Sequence, residues 1–397
     1  MKRSTDRIIT SHAGTLQRRD LMAAGVAAAG ITDEQFYAML PAEVEDVVKR
    51  QIDIGIDVVN DGEYGKKGGF SNYVQDRLGG IEPLDRDVPP RNVMARDGID
   101  FPGFYSRSPG AFGRLAAGGA VGVGGGTAPR PVNLPVFCTG PITYAGQEAV
   151  QRDIKNLKAA LAKAGNPNIE AYLPANTVGT IEHWLWNDYY KSQEEYLFAL
   201  ADAMHEEYKA ITDAGLILQL DDPDLPDGWQ MYPELSIADY RRYAETRVEA
   251  TNHALRDIPE SQIRLHVCWG SFHGPHKNDI GLKDIVDIVL RVKAECVSVE
   301  AANPRHEHEW ALWEEVKLPE GKSLMPGVVG HATDLIEHPE LVAQRLVRYA
   351  NVIGRENVIA GTDCGLGYRV GHEEIMWAKL DAMVEGARIA TKQLWAK

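Results

Sequence analysis

Four side chains of metal-ligating type stand at similar places in the chain. His266 and Cys268 lie two apart in Arg264-Leu-His-Val-Cys-Trp-Gly270, Glu300 closes Val297-Ser-Val-Glu300, and Cys364 follows Gly361-Thr-Asp. In a strand, residues two apart face the same side, so His266 and Cys268 can share one ion. One imidazole, two thiolates and a carboxylate make a tetrahedral zinc set, with an exchangeable position if one ligand gives way. Zinc this rich in negative ligands is a poor Lewis acid for hydrolysis. It suits a substrate thiol, whose pKa it lowers while the sulfur stays nucleophilic. The chemistry that follows is transfer of an alkyl group to sulfur. Taken singly, each residue has a plainer reading, because buried cysteines serve as small apolar groups and core histidines are simply hydrogen-bonded. Cys138 and Cys296, inside apolar runs, are read that way. What separates the other four is that each ends or follows a strand-like run.

The elements that must position them alternate. Strand-like runs at 8–13, 56–61, 134–139, 216–221, 263–268, 296–300, 324–329 and 357–363 are separated by amphipathic stretches such as 41–54, 194–214, 236–255, 282–294 and 339–353. Eight strand-helix units predict an α/β fold of the (β/α)8 TIM-barrel type, with chemistry at the C-terminal ends of the strands. Residues 1–397 are read as this single barrel, carrying long insertions after strands 2 and 3. The first, 64–131, holds the glycine-rich run 116–126, and the second, 152–190, is helical with a Trp/Tyr-rich end. The glycine run lacks the preceding strand and the following Lys-Ser/Thr of a phosphate loop, so it is read as a flap or surface hairpin.

Composition narrows the partners. The 397 residues are 44% hydrophobic and 25% charged, an ordinary globular balance, with a formal charge of −15. Such a charge repels nucleic acid and anionic membrane surfaces. No apolar run approaches the roughly 20 residues of a membrane helix. The four scattered cysteines are expected to be thiols rather than a disulfide framework. Arg18-Arg19 before the Ala-rich stretch 21–29 imitates a twin-arginine export signal, but the run is short and a strand lies upstream of it. A cytoplasmic location is expected.

In order along the chain, Ser11-His-Ala-Gly-Thr15, Asp61-Gly-Glu63, Thr139-Gly-Pro-Ile-Thr143, Gln219-Leu-Asp-Asp-Pro223, His266-x-Cys268, Glu300 and Asp363-Cys-Gly365 resemble the catalytic domain of cobalamin-independent methionine synthases and their stand-alone relatives, which include epoxyalkane:coenzyme M transferase. The resemblance implies that His266, Cys268, Glu300 and Cys364 bind Zn2+. It also implies that Glu63 and Asp221 face the amino group of a homocysteine-like acceptor, and that the Thr15 turn receives its carboxylate. His331, after Met325-Pro-Gly-Val-Val-Gly330, resembles the family's histidine on the seventh loop and is a candidate general acid. Asp227 is a weaker candidate, as are Tyr144, Tyr368 and His273. Nothing in the 397 residues resembles the N-terminal half of the two-domain enzymes, which argues against a folate donor.

The expected function is zinc-dependent transfer of a methyl or other alkyl group to a small-molecule thiol such as homocysteine. Two alternatives stand beside it. One opens an epoxide with a sulfonated thiol such as coenzyme M, for which Arg18, Lys66, Lys67 and Arg369 are available cations. The other is a non-catalytic zinc-thiolate module.

Overall fold

Within the sheet, strands follow the order β1 (Ile9–Thr10), β11 (Ile359–Thr362), β10 (Ser323–Val329), β9 (Cys296–Val299), β8 (Ile263–Val267), β7 (Ile217–Asp221), β5 (Glu170–Asn176) and β2 (Val58–Val59). All pairings are parallel. The structure, a computed structural model, describes residues 1–17, 31–67, 69–88, 93–106, 134–270, 274–367 and 369–396. Arg18, the 116–126 run, His273 and Tyr368 lie outside these. The edge strands β1 and β2 meet through Asp57, whose amide donates to the Thr10 carbonyl at 3.1 Å, and through the Ser11 hydroxyl, which donates to the Val58 carbonyl at 2.9 Å. The sheet therefore curls into a nearly closed (β/α)8 barrel, as the alternation of elements predicts.

Among the described residues, α-helices of eight residues or more cover the sheet: α1 (Asp33–Ile54), α2 (Gln147–Ala164), α3 (Gln193–Asp213), α4 (Asp224–Met231), α5 (Ile237–Ala254), α6 (Pro339–Ile353) and α7 (Glu373–Trp395). In α6, Pro339 opens the first turn, and buried Val342, Ala343, Leu346, Tyr349 and Ala350 make one apolar stripe at helical spacing. Helix α1 begins eight residues before the 41–54 stretch. A capping box between Thr32 and Gln35 starts it, and Pro41 sits in its interior, where it removes one backbone donor.

The third barrel strand is β5, not the 134–139 run. That run belongs to β4 (Val136–Tyr144), which pairs antiparallel with β3 (Leu78–Pro83) and parallel with β6 (Leu185–Asn187) in a separate three-stranded sheet. Pro174 inside β5 disguised it, since proline argues against a central strand. The 282–294 stretch forms only short pieces, Leu282–Asp284 and Val286–Val289, because Ile285 between them leaves helical geometry.

Inward-facing Ile9, Val58, Tyr172, Ile217, Cys296, Met325 and Ile359 fill the lower barrel. Above them lies Arg264, fully buried. Its guanidinium donates to Gln219 Oε1 at 2.8 Å, Ser11 Oγ at 2.8 Å and the His12 carbonyl at 3.1 Å, and lies 4.0 Å over the Tyr172 ring. Cys138 and Cys296 are free buried thiols, as expected of core cysteines. Among the described residues, no helix is long and apolar enough to cross a membrane.

Between β10 and β11 the register shifts at Gly327. A Cβ there would lie 2.2 Å from Asp363 Oδ1 and 2.5 Å from the Asp363 backbone nitrogen. Gly327→Ala is therefore expected to cost about 3 kcal/mol of stability, because the obstacle is backbone and cannot rotate away. Equilibrium urea unfolding measures it, and an unchanged midpoint would contradict this packing.

Candidate metal and thiol site

The ladder aligns the site before any loop does. Asp221 pairs in register with His266, and His266 with Ser298, so β7, β8 and β9 present these three residues in one row. Cys268 lies one residue beyond β8, Glu300 one beyond β9, His331 two beyond β10 and Cys364 two beyond β11. Parallel strands end on the same rim, and the rim gathers them.

One ring nitrogen of His266 and the sulfurs of Cys268 and Cys364 lie within 4.8 Å of one another. The Ser298 hydroxyl is 3.0 Å from His266 Nδ1 and fixes the ring, while Nε2 is buried with no hydrogen-bond partner among the described residues. The two sulfurs are 3.9 Å apart. Their mutual contact, with His266 close by, holds Cys364 well below the ordinary thiol range and pushes Cys268 well above it. This donor set, two soft sulfurs and an orphaned imidazole nitrogen, fits zinc.

Glu300 stands beside this trio rather than within it. Its oxygens accept from the Trp269 amide at 2.9 Å and Asn303 Nδ2 at 2.7 Å. A Glu300 oxygen, a His331 nitrogen and an Asp363 oxygen form a second group within 4.8 Å. Asp363 Oδ1 accepts from the amides of Ala301 and Ala302 at 2.7 and 2.9 Å. Its Oδ2 and both nitrogens of His331 are buried without a hydrogen-bond partner among the described residues. Burial, then the Glu300 charge, raises Asp363 well above the carboxylate range.

Across the mouth, the β1, β2 and β11 loops interlock. Leu16 N donates to the Gly62 carbonyl at 3.3 Å, Asn60 Nδ2 to the Gly14 carbonyl at 3.1 Å and Gly367 N to the Thr15 carbonyl at 2.8 Å. Glu63 has φ 61°, a left-handed value costly for a side-chain-bearing residue. The turn delivers its carboxylate so close to Gly14 that a Cβ there would sit 2.8 Å from Glu63 Oε1. Thr15 is buried in the same interlock, beside Gly365 and Gly367. Asp221 Oδ1 accepts from Gln219 Nε2 at 2.7 Å, and burial followed by the Glu63 charge pushes Asp221 up to about 6. Asp227, in α4, is buried, and burial followed by Asp279 raises it well above its usual range. Tyr144 is drawn elsewhere, its hydroxyl donating to Glu207 at 2.6 Å in a buried cluster with Arg77, Asp153 and Tyr73.

Sequence reasoning missed Ser298 and Asn303. Ser298 was accessible: it is two residues before Glu300 in the same strand and so shares its face. It also missed Lys66 as a partner of Glu63, whose Oε2 lies 3.0 Å from Lys66 Nζ.

Residues 178–389 match the family model described as the catalytic domain of cobalamin-independent synthase. The methionine synthase of Thermococcus kodakarensis is 30% identical over 219 residues, 54% of this chain and 56% of that protein. The methionine synthase of Saccharolobus solfataricus is 27% identical over 222 residues, 55% and 58% of the two. The match thus spans less than two thirds of these relatives' own length. Among solved structures, a B12-independent methionine synthase from Shewanella sp. W3-18-1, in complex with selenomethionine, superposes with a TM-score of 0.69 at 20% identity, over 98% of this chain and 100% of that one. A methyltransferase from Methanosarcina mazei gives a TM-score of 0.52 at 14% identity, over 96% and 94%. These two likenesses speak to the fold. The family match takes in β7 to β11 with His266, Cys268, Glu300 and Cys364, and by it the chain belongs to the cobalamin-independent synthase catalytic-domain family.

Proposed function

We propose that the chain transfers a methyl or related alkyl group to the sulfur of a small thiol, with homocysteine as the acceptor the family suggests, on a zinc site held by His266, Cys268, Cys364 and Glu300. The observation that carries this reading is the convergence of one imidazole nitrogen and two sulfurs within 4.8 Å at the barrel rim. Bound Zn2+ supplies a lowered pKa to the acceptor thiol while leaving its sulfur nucleophilic.

The chain's own residues do the rest. Ser298 fixes the His266 ring, an orientation on which metal affinity depends. Trp269 N and Asn303 each hold one Glu300 oxygen, and because each oxygen keeps a second lone pair the carboxylate would be able to hold the ion without losing these bonds. Asp221 and Glu63 line the place for the acceptor's tail, next to the Thr15 turn. Asp227 and His331, both buried, are the candidate acids for the departing donor: burial followed by Asp279 raises Asp227, and both His331 nitrogens are without a hydrogen-bond partner among the described residues. The donor is a small molecule outside the described contacts, and the net charge of −15 disfavours nucleic acid. A cytoplasmic setting, where thiols stay reduced, suits four free cysteines.

Two outcomes test this. Purified protein should hold one zinc per chain, Cys364→Ser should lose it, and Ser298→Ala should bind it roughly tenfold to a hundredfold more weakly in chelator competition. Unchanged zinc content in Cys364→Ser would remove the proposal. Titration of zinc-loaded protein with an acceptor thiol at neutral pH should release close to one proton per site, measured as a buffer-dependent heat, because the thiol binds as thiolate. Binding without proton release would show that the sulfur does not reach the ion.

A further inference from the structure

The rim holds a second cluster of buried donors, and it contains no sulfur. One nitrogen of His331, one oxygen of Glu300 and one oxygen of Asp363 stand within 4.8 Å of one another. His331 is 1% exposed, Glu300 2% and Asp363 0%. Yet both His331 nitrogens and Asp363 Oδ2 have no hydrogen-bond partner among the described residues. An imidazole so near two buried carboxylates gains by donating to one of them, since polar groups left unpaired in the interior are costly. Here the three keep a wider spacing. Ligands held about 2.0–2.2 Å from one ion lie roughly 3 to 4.4 Å from each other. The cluster is drawn to that scale, too open for hydrogen bonds to His331 and close enough for a shared cation.

Each donor is fixed from behind. Asp363 Oδ1 accepts from the amides of Ala301 and Ala302 at 2.7 and 2.9 Å, which leaves Oδ2 as the free oxygen. A Cβ on Gly330 would stand 3.8 Å from that Oδ2, so the residue before His331 grows no side chain into the space. Gly330 N donates to Glu337 Oε1 at 2.8 Å, and Glu337 Oε2 pairs with the buried Lys379 at 2.9 Å, which anchors the turn that carries His331. Glu300 is held by Trp269 N and Asn303, with a lone pair left on each oxygen. Bonds of this kind orient the ligands of metal sites.

We propose that Glu300, His331 and Asp363 form a site for a second divalent cation, of the oxygen-preferring first-row class that Mn2+ represents, beside the sulfur-lined site. One imidazole nitrogen and two carboxylate oxygens leave positions open for water or a substrate oxygen, and they lack the thiolates that select softer ions. The inference goes beyond the thiol-transfer reading and shares Glu300 and His331 with it. A carboxylate with a spare lone pair on each oxygen is able to serve two ions. A cation bound through His331 keeps that ring from being an imidazolium, so ion and acid exclude each other at this residue.

Titration of the zinc-loaded full chain with Mn2+, followed by the EPR signal of the free ion, tests the site. Wild-type protein is expected to bind one Mn2+ per chain while keeping its zinc, and pulsed EPR of the bound ion should show coupling to an imidazole nitrogen. Asp363→Asn, which retains an oxygen for the two amides, should weaken Mn2+ about a hundredfold or more without loss of zinc, and His331→Gln should do the same and remove the nitrogen coupling. The wild-type titration and spectrum decide even if neither variant folds. Absence of a stoichiometric Mn2+, a bound Mn2+ with no nitrogen coupling, or equal binding by either folded variant overturns the proposal and leaves the zinc-thiolate reading untouched. Protein that binds Mn2+ as expected but purifies without zinc removes that earlier reading and supports this one.

Discussion

Burial of like charge at one rim is the constraint on which the site depends. Glu63, Asp221, Asp227, Glu300 and Asp363 are all nine-tenths or more buried, and His266, Lys66 and Arg369 are among the basic groups near them. Carboxylates so placed cannot all ionise unless positive charge is brought to them. Burial, with like charge second, raises Asp227 and Asp363 well above their ordinary range and Asp221 to about 6. A dication among Cys268, Cys364 and His266 would bring that positive charge, and protons would then leave more readily. The same charge imbalance therefore favours both a metal and a store of protons.

Rigid backbone holds that expensive arrangement in place. The strand register aligns Asp221, His266 and Ser298, and loops add the rest only where glycine allows close approach. Gly365 would put a Cβ 2.7 Å from Thr15 N, and Gly367 one 2.8 Å from Thr15 Cγ2. The loop bearing Cys364 thus packs backbone to backbone on the loop bearing Thr15, which in turn lies against the Glu63 turn. Below them, Arg264 reaches Asp221 through Gln219, so a guanidinium with neutral hydrogen-bond partners orients the amide that holds the carboxylate. Strain at Glu63 is tolerable because this interlock over-determines its position.

Much of this was legible in the sequence because a parallel barrel ties sequence position to spatial position. A residue at the end of a β-rich run is on the rim, and that rule alone brought His266, Cys268, Glu300 and Cys364 to one end of the molecule. The rule says nothing about lateral distance, so it could not foretell that Glu300 would lie with His331 and Asp363. It also failed where local pattern and tertiary context diverge. Pro174 hid β5, whereas Val136–Tyr144 has the composition of a barrel strand but finds an antiparallel partner in β3. The 41–54 stretch caught only the C-terminal part of α1, whose start is set by the capping box between Thr32 and Gln35. Ion pairs made within one turn, such as Glu63 with Lys66, are legible as spacing but not as geometry, since the left-handed backbone at Glu63 decides where the carboxylate points.

Glu300 joins the two halves of the rim. One of its oxygens is fixed by the backbone of Trp269, the residue following Cys268, and the other by Asn303, three residues further along its own chain. The first bond ties it to the sulfur half, and its proximity to His331 and Asp363 ties it to the proton-holding half. A carboxylate so placed has two uses for its charge, as a ligand on one side and as a neighbour that raises Asp363 on the other. Were zinc bound as proposed, Glu300 would be placed to hold it beside His266, Cys268 and Cys364, and its charge would be divided between the ion and Asp363. One side chain thereby connects the sulfur cluster to the Glu300, His331 and Asp363 cluster, by a backbone hydrogen bond on one side and by charge on the other.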